Sequence, residues 1–140
     1  MAQRHGGLTA LAVLNFVFGG IGAIGALLGF GGLTLVREAI KKAEMTGVKY
    51  DGPGLTASYV LIALTAVGAL LLIVSGVGYL KQRKFMGRTL GNLYALVSLG
   101  GTALGVAAGG GVGALTVLFS IYPLLTLALI NSSFKKDLVN

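Results

Sequence analysis

The sequence has no cysteine and no tryptophan, and only two prolines, one histidine and four acidic residues among its 140 positions. Without thiols there is no disulfide, no thiolate zinc site, no iron–sulfur cluster and no S-acylated anchor. All four acids, Glu38, Glu44, Asp51 and Asp137, lie outside the long apolar runs, and no Lys, Arg or His falls near the centre of one. Coupling transport to protons or sodium uses ionisable groups held inside the membrane, so an ion-coupled transporter is not expected. Catalysis is disfavoured by the same inventory. One leader histidine, His5, and a few loop acids supply neither a nucleophile with its base nor a carboxylate pair nor a ligand set for a metal. The expectation is a non-enzymatic protein without a cofactor or metal.

What the chain does contain is apolar. Hydrophobic residues make up 55% and charged residues 11%, arranged in runs of about 20, the length that crosses a hydrocarbon core. The formal net charge is +7, which in a soluble chain would suggest nucleic acid; here the cations stand at the ends of apolar runs, where they suit anionic headgroups instead. The pattern predicts an all-α integral membrane protein, a single domain of four transmembrane helices in an antiparallel bundle. The spans fall at about 8–30, 55–80, 89–108 and 114–130.

The first run is long and glycine-rich and shows no clear cleavage site, so it is read as a retained span, not a signal peptide. It carries Gly22, Gly25, Gly29 and Gly32 at steps of three and four, with Asn15 on the same face. Small residues let a partner backbone approach closely in lipid. Residues 33–46 then turn amphipathic, with Leu33, Val36, Ile40 and Ala43 on one side and Arg37, Glu38, Lys41, Lys42 and Glu44 around the rest. They either prolong the first helix or bend at Gly29–Gly32 to lie on the membrane; Thr46-Gly47 is the expected stop, and Asp51-Gly52-Pro53-Gly54 a turn.

The second span has Gly68, Ser75 and Gly78 as its small positions and Thr56 or Ser58 as its expected N-cap. The third shows Gly91, Ser98, Gly101, Gly105 and Gly109 at steps of seven, three and four. The two glycine stripes predict that helices one and three form the closely packed pair. Pro123 interrupts the hydrogen bonding of the fourth span and is expected to kink it.

Between spans two and three lies Lys81-Gln82-Arg83-Lys84-Phe85-Met86-Gly87-Arg88, a cytoplasmic basic turn of Lys81, Arg83, Lys84 and Arg88. Four spans put Arg4, that turn, Lys135 and Lys136 on one side, seven cations against Arg37, Lys41, Lys42 and Lys49 on the other. The positive-inside bias therefore predicts both termini in the cytoplasm, with a bacterial inner membrane as the expected location. From Leu71 to Leu99, an apolar span ending in Ser75-Gly76, a basic turn with Arg88, and Leu90-Gly91 opening the next span resemble small bacterial four-span proteins. The segment is also loosely similar to the second and third spans of animal tetraspan families. The resemblance implies a helical hairpin with a cytoplasmic turn and brings no functional residues.

Two literal motif matches lack their context. Gly20-Ile21-Gly22-Ala23-Ile24-Gly25 fits a dinucleotide fingerprint without the strand that motif needs, and Gly76-Val77-Gly78-Tyr79 is followed by Leu80 where a potassium filter has glycine. Asn15 and Asn92 are the intramembrane polar residues expected to bond between helices. Tyr50, Tyr59 and Tyr79 are placed at the interfaces, with Tyr122 deeper. The functional expectation is helix–helix interaction, as a homo-oligomer or an accessory subunit of a membrane complex, among anionic lipids at the cytoplasmic face and without nucleic acid. Two alternatives stand beside it: a pore or small-solute carrier lined by Asn15, Asn92 and Ser/Thr positions, and a lipid-organising protein.

Overall fold

The computed structural model describes residues 6–49, 54–107 and 111–138. These form four α-helices, α1 (Gly6–Met45), α2 (Leu55–Leu80), α3 (Leu90–Ala107) and α4 (Ala114–Asn131), with a π-helical turn at Lys84–Thr89 and no β-strand. Helices α2 and α4 begin where their apolar runs begin in the sequence. Helix α1 contains nine glycines, each of which would weaken a helix in water by up to ~1 kcal/mol. In hydrocarbon every backbone N–H and C=O must be bonded internally, and that requirement overrides the propensity.

Helix α1 is not interrupted at Gly29–Gly32; it runs as one helix for 40 residues. At 1.5 Å per residue it is about 60 Å long, roughly twice the thickness of a hydrocarbon core. Arg37, Glu38, Lys41 and Lys42 are all exposed on its far half. Its stop is a Schellman motif. Gly47 takes φ +82°, its N–H donates to Glu44 O (3.1 Å), and Val48 N–H donates to Ala43 O (3.1 Å). At the start of α2 the N-cap is Gly54, without a side-chain cap, so Thr56 and Ser58 lie inside the helix and not at its cap. Residues 51–53 of the expected turn, like His5, Gly109 and Arg4, lie outside the described residues.

Helix α1 packs along α2, not along α3 as the two glycine stripes suggested. Contacts descend α2 as they ascend α1: Gly76 lies against Ala12, Asn15 and Phe16, Gly19 against Leu72 and Ala69, Gly22 against Ala69, and Gly29 against Ile62. Phe30 meets Tyr59 beyond them. A methyl at Gly19 would stand 2.8 Å from Ile73 Cγ1 and 3.1 Å from Ala69 O, so α2 packs directly on the α1 backbone here and leaves no room for a side chain at position 19. A glycine stripe shows which face of a helix is small but not which neighbour it meets. Here α2 supplies Ala69, Ser75 and Gly76, all buried, to match the small face of α1, whereas Gly68 lies against Tyr94 of α3. Helix α3 then packs on α2 and on α4, and α4 reaches α1 through side chains.

The basic turn is tighter than its sequence suggests. Gln82 adopts φ 50°, Arg83 N–H donates to Gly78 O (2.9 Å), and six residues from Lys84 wind as π-helix into α3. The tightness depends on two glycines. A Cβ on Gly78 would fall on the backbone of Met86 and Gly87, 2.7 Å from Gly87 Cα; one on Gly87 would stand 2.9 Å from Leu138 Cδ2. Leu138 belongs with Leu8, Leu11, Ala12, Tyr79 and Ile130 to a buried cluster that closes this end of the molecule. A second cluster, Leu72, Tyr94 and Ala95, lies deeper.

Three helical segments, Gly6–Met45, Leu55–Leu80 and Lys84–Ala107, are long and apolar enough to cross a membrane. Helix α4 has 18 residues, about 27 Å at the helical rise. It remains continuous through Pro123, whose side is buried.

Gly78→Ala is expected to destabilise the fold by more than ~1–3 kcal/mol, because its methyl meets backbone that cannot rotate away. Gly100→Ala, where a Cβ meets nothing within 4 Å, is the control and is expected to be near neutral. Thermal unfolding of both variants in one detergent checks the contrast.

Candidate functional site

Low in the bundle, an apolar interior contains a knot of polar side chains drawn from all four helices. Asn15 of α1 is fully buried. Its amide Nδ2 donates to Ser75 Oγ of α2 at 2.8 Å, and its Oδ1 accepts a hydrogen bond from the Tyr122 hydroxyl of α4. Ser75 in turn donates to Leu72 O at 3.0 Å. The Tyr122 ring lies between two others, its centroid 4.6 Å from Phe18 and 6.3 Å from Tyr94 of α3. One carboxamide thus ties three helices together, and stacking adds the fourth.

Two more hydroxyls border the knot without a bond of ordinary geometry among the described residues, Tyr79 Oη and Thr126 Oγ1. Tyr79 is 1% exposed, so it is a core residue and not the interfacial ring expected from its place at the end of the apolar run. Gly91 makes room for it. A Cβ there would collide with the Tyr79 hydroxyl and lie 2.7 Å from Ile130 Cδ1.

Asn92 belongs elsewhere. It exchanges amide hydrogen bonds with Asn131, whose Nδ2 donates to Asn92 Oδ1 at 2.8 Å and whose Oδ1 accepts from Asn92 Nδ2 at 3.3 Å. Asn131 Nδ2 also donates to Leu127 O, and Arg88 Nε donates to Asn131 Oδ1 at 3.2 Å. The two asparagines predicted to share one polar path sit in two networks that no hydrogen bond among the described residues joins. Thr102 and Ser120 are each bonded to the carbonyl four residues earlier on their own helix, as is usual for hydroxyls in apolar helices.

The small positions divide in the same way. Gly22, Gly29 and Gly91 face neighbours closely, and Gly101 lies in ordinary contact range of Leu64, whereas Gly25, Gly32 and Gly105 face open space. Ser98 is half-buried. Of the basic turn, Lys81, Arg83 and Lys84 are exposed and Arg88 is half-buried. Sequence reasoning missed Tyr94, Asn131 and the pair Gly19 and Gly87. Asn131 had a signal, since an asparagine at the last turn of an apolar helix needs a polar partner, but its match to Asn92 comes only from the tertiary pairing of α3 and α4.

No family model, curated protein or solved structure matches the chain.

Replacing Asn15 by Leu takes the acceptor from the Tyr122 hydroxyl and the donor from Ser75 Oγ, which keeps only its own bond to Leu72 O. It is expected to cost about 1–3 kcal/mol. Tyr79→Phe removes a hydroxyl that lies beside Ser75 and Asn15 without a hydrogen bond of ordinary geometry among the described residues, so its unfolding midpoint is expected to fall much less than that of Asn15→Leu, if at all. A clear fall for Tyr79→Phe, measured beside Asn15→Leu, would mean that the hydroxyl is engaged.

Proposed function

We propose that the protein is a four-span antiparallel bundle of a bacterial inner membrane, with both termini and the basic turn in the cytoplasm. Its role is non-enzymatic, helix–helix interaction as a homo-oligomer or as an accessory subunit of a larger membrane complex. The observation that carries this reading is the open small face of α1. Gly25 and Gly32, one helical repeat apart, have nothing within 4 Å, and Leu28 between them is 72% exposed. In lipid, such a face gains dispersion contacts when a second helix approaches closely and gains little otherwise. The interior supports the same reading, because Asn15 is engaged in holding the bundle's own helices together. A pore along Asn15 and Asn92 finds less support, since the two side chains lie in separate networks.

The charge pattern supports the orientation. Seven Lys and Arg fall on the side assigned to the cytoplasm against four on the other. Anionic lipids at that face would neutralise much of the excess.

Native mass spectrometry of the gently extracted protein is expected to find it with a second copy or with a different protein. Because the chain has no cysteine, a single thiol at Leu28→Cys reports its neighbour directly. It is expected to cross-link to that neighbour, whereas Leu70→Cys, exposed on α2, is not. A lone monomer with no cross-link at position 28 would contradict the reading.

A further inference from the structure

The fold joins two stretches that the sequence keeps apart, the basic turn and the carboxyl-terminal segment. Leu138 packs on Gly87, and Phe134 packs on Gly7, so Lys135 and Lys136 come to the same end of the molecule as Lys81, Arg83, Lys84 and Arg88. Phe85 is 67% exposed among these cations. An exposed ring in a cationic cluster at the end of apolar helices is the signature of a membrane-headgroup surface. Within it, Arg88 is unlike the other cations. It is half-buried, and its Nε is tied to Asn131 Oδ1, itself fixed by the reciprocal amide pair with Asn92. Among the described residues its hydrogen bond runs through Nε, and its two terminal NH2 groups make none. A guanidinium held by its inner nitrogen presents a planar fork that matches two oxygens of a phosphate, a geometry a lysine cannot offer.

We propose that Arg88, held by Asn131, is the binding site for the phosphodiester of an anionic phospholipid headgroup, with the neighbouring lysines adding charge and Phe85 entering the acyl boundary. This deepens the reading above and rests on its assignment of the basic end to the headgroup layer. Free phosphate shares the chemistry, but it would make no use of Phe85 or of an apolar bundle ending at the same level.

The test is native mass spectrometry of the full chain in micelles doped with phosphatidylglycerol or with phosphatidylcholine. The expected result is preferential retention of phosphatidylglycerol, falling about tenfold in Arg88→Gln, the size of a lost charge-assisted hydrogen bond. Asn131→Leu leaves every charge in place while it releases the fork, together with the Asn92 amide. A comparable fall in that variant supports the clamp, whereas wild-type retention there would reduce the effect to net charge and overturn it. Circular dichroism and melting of both variants separate loss of binding from loss of fold; if Arg88→Gln does not fold, Asn131→Leu and Arg88→Lys carry the comparison. Displacement of the lipid by inorganic phosphate at equal concentration would assign the site to the free anion and overturn the lipid assignment. Oligomer peaks in the same spectra report on the helix-interaction reading independently, so one proposal can fail while the other stands.

Discussion

A single carboxamide sets the terms for the interior. Asn15 has a donor and an acceptor to satisfy where no water is at hand, and it satisfies them on two different helices, at Ser75 and at Tyr122. Sliding α1 by one residue along α2 would rotate the group by about 100° and leave it unpaired. Apolar side chains in lipid discriminate poorly between registers, because a leucine is about as comfortable against a lipid tail as against another leucine. The polar knot makes one register preferable.

Glycine acts in the same arrangement. Gly19, Gly22 and Gly76 bring α1 and α2 close enough for Asn15 to reach Ser75 at 2.8 Å. At the basic turn, Gly78 and Gly87 bring two backbones together and fix where α3 starts, which places Tyr94 over α2 and Asn92 opposite Asn131. The ordered core thus lies toward the basic end. Farther along, α1 continues past the start of α2 as an exposed helix.

Much of this was legible in the chain, in a specific sense. Run length marked the apolar helices, Thr46-Gly47 marked the stop of α1, and the buried asparagine was recognisable as a group in need of partners. Partner identity was not legible. The steps between glycines place them on one face, but α1 and α3 both show such a face, and only packing reveals that α2 lies between them in the contact order. Tyr79 was misjudged because its position at the end of a span suggests an interface, whereas Gly91 on the following helix opens a pocket of space that draws it inward. The π-helical turn had no signal beyond Gly87, because its form follows from the contact with Gly78 and not from local propensity. Gly25 and Gly32 read the same as Gly22 and Gly29 in sequence, yet the first two face open space and the others face α2.

The claim that a buried carboxamide keys the register is tested most directly by a double-mutant cycle between Asn15→Leu and Tyr122→Phe, read from reversible unfolding in bilayer-like micelles. If the two side chains are bonded as described, the double variant loses less than the sum of the singles, with a coupling of about 1 kcal/mol. Additive losses, within about 0.3 kcal/mol, would mean that the two groups do not interact and that the bundle is aligned by packing alone.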